Sequence, residues 1–180
     1  MKKLRLLLLD ANVVIELFRL GIWDRFIDVC DVHLSGIVIE DEALFYEDRD
    51  GSPCYLQLPS YVEDGKITRF DVGASDIEAF VKEYGSIYLE KLDPGESESL
   101  AYLFSSSEEF TICSSDKIVF RVLGSRQLSH RGVSLEELLD QTGLGRPLRR
   151  QFTKHFREDI AKQGFQEGFS GLAFKTEGPD

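Results

Sequence analysis

The chain opens on a nearly unbroken apolar run, Leu4-Arg5-Leu6-Leu7-Leu8-Leu9, that stops at Asp10. Unbroken runs, unlike alternating ones, mark strands buried on both faces, as in parallel sheets. The period then changes. Val13, Val14, Leu17, Phe18 and Leu20 to Ile22 recur at helical spacing, behind the helix-starting side chains of Asp10 and Asn12. The pattern predicts a strand, a tight turn and a helix. Asp10 therefore falls at the carboxyl end of a strand, where open α/β sheets place their ligands.

A second unit follows, with helix over Trp23–Cys30 and strand over Val32–Val38, and Glu40-Asp41-Glu42 directly after it. Residues 43–67 are the least regular. A helix could run on through Tyr46, but Asp48-Arg49-Asp50-Gly51 is a strong turn signal with apolar residues on either side, which predicts an inserted β-hairpin. Lys66–Val72 alternates as a strand does, and Ser75–Tyr84 has helical periodicity. Pro94, with Glu96 and Glu98 in the first turns, opens another helix. Phe110–Cys113 reads as a short buried strand ending at Ser114-Ser115-Asp116. Helices then begin at Lys117 and after a Ser134 cap, the latter read as the last. About four strand–helix repeats predict an α/β fold of three layers, a mostly parallel sheet flanked by helices.

From Gly143 the character changes. Arg146, Arg149, Arg150, Lys154, His155 and Arg157 concentrate positive charge, and a looser tail follows with Gly164, Gly168 and Gly171 among Phe165, Phe169 and Phe174. The expected division is a core domain over 1–142 and an extension over 143–180.

Composition narrows the functional classes. With 180 residues, 42% hydrophobic and 29% charged, this is a globular composition. The opening apolar run is too short to span a bilayer or to serve as a secretory signal, so a cytoplasmic protein without membrane attachment is expected. Cys30, Cys54 and Cys113 are scattered without metal-ligand spacing, which argues for buried thiols over zinc. A net charge of −11 disfavours a general nucleic-acid binder, which gains affinity by neutralising phosphates. It weighs less against a metal nuclease, because bound cations reverse the local field of clustered carboxylates.

Carboxylates recur where predicted strands end or helices begin: Asp10, Glu40 to Glu42, Glu96 with Glu98, and Asp116. Parallel connectivity brings those ends to one edge, where converging acids repel unless a cation compensates them. Mg²⁺ or Mn²⁺, hard ions that keep several waters, suit such a site and phosphodiester cleavage. Each acid also has a plain structural role open to it: Asp10 and Asp116 as helix caps, Glu96 and Glu98 as partners of a helix dipole, Glu40–Glu42 as a solvated run. His130 and His155 have no partner motif and read as surface residues.

Three stretches carry a family resemblance. Leu8-Leu9-Asp10-Ala11-Asn12-Val13-Val14-Ile15 resembles the opening motif of PIN-domain ribonucleases. Gly95-Glu96-Ser97-Glu98-Ser99-Leu100-Ala101 is similar to the Gly-Glu-x-Glu-Ala stretch of a subgroup. Ile112-Cys113-Ser114-Ser115-Asp116-Lys117 resembles their fourth-strand motif, and Gly132–Leu138 looks like the end of that domain. The likeness spans roughly residues 4–140.

It implies a Mg²⁺- or Mn²⁺-dependent endoribonuclease with Asp10, Glu42, Glu96 or Glu98, and Asp116 as its acids, and Asn12 and Ser114 orienting them from behind. Asp10, Glu96 and Asp116 would hold the metal. Glu40 and Asp41 compete with Glu42, and helix register decides between Glu96 and Glu98. The basic stretch would hold RNA through Arg146, Arg149, Arg150 and Lys154, or else cover the chain's own acidic surface as an ordinary C-terminal helix. Partners implied are an RNA substrate, an antitoxin or other protein if the chain is a toxin of a toxin–antitoxin pair, and a second copy in a homodimer. The alternative is a PIN-fold binding or regulatory module without activity. A haloacid-dehalogenase phosphatase needs a second Asp where Asn12 stands, and a receiver domain needs an acidic pair near the first strand; both fit less well.

Overall fold

The computed structural model describes residues 4–84 and 90–170. Strand β1 (Leu4–Leu9) lies at the centre of a five-stranded sheet, between β2 (Cys30–Ser35) and β6 (Thr111–Cys113). Strands β5 (Thr68–Phe70) and β7 (Gly132–Val133) complete the order β5-β2-β1-β6-β7, with every adjacent pair parallel. The unbroken apolar run now has its reason. Leu7 and Leu9 enter one core while Leu8 enters another on the opposite face.

The first core packs helices α1 (Ala11–Arg19), α2 (Trp23–Val29), α3 (Leu58–Glu63) and α7 (Leu135–Thr142) on one face. The second packs α4 (Ala74–Tyr84), α5 (Pro94–Ser105), α6 (Lys117–Ser125) and α8 (Lys154–Phe169) on the other. The architecture is three-layer α/β. Connections from β1 through β2 to β5 use the first face, and those from β5 through β6 to β7 use the second. A right-handed crossover demands this change of face when the direction of travel reverses.

The predicted hairpin is present as antiparallel β3 (Phe45–Glu47) and β4 (Pro53–Tyr55), its turn using Gly51 at φ 83°. Several boundaries differ from the sequence reading. Strand β2 stops at Ser35 instead of Val38, because the Ser35 hydroxyl accepts the Val38 N–H at 3.1 Å and a π-helical turn, Val38–Glu42, follows. Strand β5 covers only Thr68–Phe70 of the alternating stretch 66–72.

The largest difference is at the C-terminus, where the glycine-bearing tail is helical through Phe169 and α7 is not the last helix. A Cβ on Gly164 would run into the Arg121 carbonyl oxygen, and one on Gly168 into that of Ser125. Across the crossing, a Cβ on Gly124 of α6 would meet the Ala161 carbonyl. These glycines let two helix backbones touch; they do not loosen the chain. Gly171 and Phe174 lie outside the described residues. Cys30 and Cys113 are buried and Cys54 is half-buried, with no disulfide among the described residues. Among the described residues, no helix is long and apolar enough to cross a membrane.

Helix propensity alone makes Gly164→Ala stabilising by about 1 kcal/mol. The close crossing reverses that sign, and the variant is expected to lose about 1–3 kcal/mol in a urea melt through overpacking. A gain in stability would refute the backbone contact.

Candidate functional site

The sheet order makes the gap between β1 and β6 the point where the chain reverses direction, and in open α/β sheets ligands bind there. Asp10 leaves β1 at this point and Ser114-Ser115-Asp116 leaves β6. Asp10 is 3% exposed, and its carboxylate accepts three hydrogen bonds: from Val13 N at 2.7 Å, Ser114 Oγ at 2.5 Å and Ser115 N at 3.0 Å. The same Ser114 Oγ accepts the Asp116 N–H at 2.9 Å, while Asp116 Oδ1 caps α6 by accepting from Ile118 N at 2.8 Å. Ser114 thus links the two aspartates. Asp10 and Asp116 are both helix caps, the plain structural role open to each from the sequence.

Glu96 completes this group from the first turn of α5. It is 4% exposed, and its Oε2 accepts the Asp93 N–H at 3.1 Å, which fixes the carboxyl against its own helix start. Burial pushes its pKa up to about 8, and the charges of Asp116 and Asp10 add to the rise. Burial also raises Asp10 to about 6, against the opposing pull of its three hydrogen bonds. Among the described residues, no Lys, Arg or His forms an ion pair with Asp10, Glu96 or Asp116.

Glu98 and Glu42 lie apart from that trio. Glu98 Oε1 accepts the Val72 N–H at 2.8 Å, and its Oε2 is buried without a hydrogen-bond partner among the described residues. Two positions apart on a helix, Glu96 and Glu98 face different neighbours, as the 100° step requires. Glu42 is the inward member of its acidic run, accepting the Gly95 N–H at 2.9 Å; Glu40 instead pairs with Arg69, and Asp41 is exposed. Burial raises the Glu42 carboxyl despite that bond, with the charges of Asp93, Asp41 and Glu98 adding to it. Gly95 has no room for a Cβ against this carboxylate.

A cleft of about 830 Å³ opens beside Asp116, lined in part by Asn12, Ser115, Lys117, Arg149 and Arg150. Of the four basic residues singled out in the sequence, Arg149 and Arg150 reach it. Arg149 also donates to the buried Glu16 at 2.8 Å. Burial would raise the Glu16 carboxyl, but bonds from Arg19 and Arg149 outweigh it and hold it below the ordinary range. Arg146 donates to the Gly145 carbonyl, and Lys154 approaches Glu158 at 3.7 Å. Arg157 grips Glu137 at 2.8 Å. Arg149 and Arg157 therefore cover acids of the chain itself, while Arg149 and Arg150 also line the cleft. Lys117, Arg121, Gln151 and Gln163 also line the cleft, and the sequence reading missed them. Their signals were present: Lys117 adjoins Asp116, and Gln163 shares the α8 face of Phe156 and Ile160. His130 and His155 are exposed, with His155 beside Asp159.

Among the described residues, no group of three His, Cys, Asp or Glu side chains is placed so as to hold a metal ion. The donor set nonetheless fits a hard divalent ion. Every donor is a carboxylate oxygen, and Glu96 Oε1 and Asp116 Oδ2 make no hydrogen bond within the described residues. Mg²⁺ typically takes only one or two protein carboxylates and completes its shell with water and substrate phosphate. Comparisons with models of known protein families, with curated proteins and with solved structures returned no match.

The raised pKa values of Asp10 and Glu96 make a definite statement about metal-free stability. Both carboxyls titrate higher folded than unfolded, so their contribution is complete below about pH 4 and is lost as pH rises through about 6 and 8. Glu96→Gln in EDTA is expected to melt at least roughly 4 °C above wild type at pH 8, with the gap closing near pH 5. Equal melting temperatures at pH 8 would contradict a Glu96 kept protonated chiefly by burial.

Proposed function

We propose that the chain is a Mg²⁺- or Mn²⁺-dependent endoribonuclease of the kind its motifs resemble. The observation that carries this reading is the meeting of Asp10, Glu96 and Asp116 at the switch point of a parallel sheet, uncompensated by any ion pair among the described residues. Ionising all three carboxyls together at this low-dielectric edge costs several kcal/mol, which a bound cation would offset. The three carboxylates would hold it. When bound, such an ion lowers the pKa of water and draws off charge gathering on a phosphodiester.

The protein's own groups have distinct tasks in this reading. Ser114 holds Asp10 in one rotamer by donating to Oδ2, which leaves Oδ1 and the remaining lone pairs in a fixed direction. The Asp93 N–H does the same for Glu96. Glu42 and Glu98 act on α5 as a whole: they receive backbone N–H groups of Gly95 and Val72, and so set the rotation that points Glu96 at the aspartates. Asn12 is exposed and lines the cleft, where its amide would be available to the substrate or attacking water.

The test is calorimetric titration of Mn²⁺ into wild type and into Asp10→Asn/Asp116→Asn, paired with cleavage of a mixed single-stranded RNA. Binding and cleavage are expected in the wild type and lost in the double variant. Ser114→Ala is expected to fold and to weaken metal binding about 10–100-fold, as removal of an orienting partner does. A well-folded wild type with neither binding nor cleavage would reject the enzyme and leave a binding or regulatory module in its place.

A further inference from the structure

The cleft beside Asp116 holds features that metal binding does not use. Its lining carries four cations, Lys117, Arg121, Arg149 and Arg150, against two carboxylates, Asp116 and Asp159, in a chain whose net charge is −11. Arg121 pairs with Glu167 and Arg149 with Glu16, but Lys117 and Arg150 are exposed and form no ion pair among the described residues. Between them stand three amide side chains, Asn12, Gln151 and Gln163, none hydrogen-bonded to the described protein. Each presents a donor and an acceptor side by side, the pattern that matches a base edge in a bidentate pair.

A flat platform completes the set. The Arg149 guanidinium lies over the Phe152 ring at 5.3 Å and is pinned by Glu16, while its side chain stays 58% exposed. A guanidinium plane fixed on one face by an aromatic ring is a stacking surface for a base on the other. The volume, about 830 Å³, is that of a pocket for a compact ligand, not of a groove for a duplex. Bases in A-form duplexes are hidden in a deep, narrow groove, whereas unpaired bases can turn outward into a pocket.

We propose that this cleft is a base-reading subsite for single-stranded RNA next to the scissile phosphate, a proposal that rests on the nuclease reading. Lys117 and Arg150 receive backbone phosphates, Arg149 stacks a base, and Gln151 and Gln163 read its edge. The acidic group and the basic cleft then divide the work: one holds the reacting phosphate through its cation, the other selects the sequence beside it.

The experiment measures affinity in EDTA, so that binding is read without cleavage. Labelled short single-stranded RNAs of A, C, G or U are titrated into wild type, Lys117→Ala/Arg150→Ala and Gln151→Ala/Gln163→Ala, with thermal melts checking each fold. The double cation variant is expected to bind all four about tenfold more weakly and to lower the salt slope by roughly 1–1.5. The amide variant is expected to shrink the spread of affinities among the four RNAs by about tenfold. Well-folded variants with wild-type affinity and base preference would overturn the subsite. A base preference that collapses on amide removal, in a protein that cleaves nothing with Mn²⁺, would overturn the nuclease reading and support the subsite.

Discussion

The buried carboxylate of Asp10 is the fixed point around which the sheet edge is organised. A charge-capable group at 3% exposure is tolerated because three donors reach it, two of them from the segment after β6. Each hydrogen bond to a charged acceptor is worth about 1.5–3 kcal/mol, enough to hold the β1 and β6 ends in one register. The cap on α1 uses the other oxygen of the same carboxylate, since Val13 N bonds Oδ1 while Ser114 and Ser115 donate to Oδ2. One side chain therefore sets the start of a helix, ties two neighbouring strands and presents a carboxylate at the switch point. Its raised pKa follows from that placement: burial outweighs the donors, and Asp116 adds its own charge.

Helix α5 is positioned by the same means. Its three glutamate contacts, with Asp93, Gly95 and Val72, are all carboxylate-to-backbone bonds, so the helix is fixed in rotation as well as in place. That rotation sends Glu96 to the aspartates and Glu98 to the loop after β5. The Glu98 oxygen left buried without a hydrogen-bond partner among the described residues shows that the arrangement does not satisfy every polar atom. On the far side of Asp116, the glycine crossing of α6 and α8 brings α8 close enough to form the wall of the cleft. The C-terminal segment is thus part of the site's frame: Arg149 clamps onto Glu16 of α1, and Arg157 onto Glu137 of α7.

Much of this was legible along the chain. The unbroken run of β1, the Ser134 cap that bonds Glu137 N at 3.2 Å, and the hairpin turn are local signals, resolved by neighbours within a few residues. Asp10 and Asp116 could be placed at strand ends for the same reason. The glycines of α8 misled because a glycine reads alike in a loop and at a helix crossing; only the presence of Arg121 and Ser125 behind it distinguishes the two. The strand after α2 was read too long because the Ser35 hydroxyl, not hydropathy, ends it.

The sequence by itself determined the alternation of strands and helices, the parallel sheet and the supply of acids at strand ends, because period and capping are properties of short segments. Tertiary structure alone decided which acids share a space. Glu96 and Glu98 are equivalent as letters, as are Glu40, Asp41 and Glu42, and their separation depends on the rotation of α5 and on a π-helical turn. Those are fixed by hydrogen bonds between residues far apart in the chain, Glu42 with Gly95 and Glu98 with Val72. The same holds for the cleft, where residues from α1, α6 and α8 meet only because two helix backbones can touch at Gly124 and Gly164.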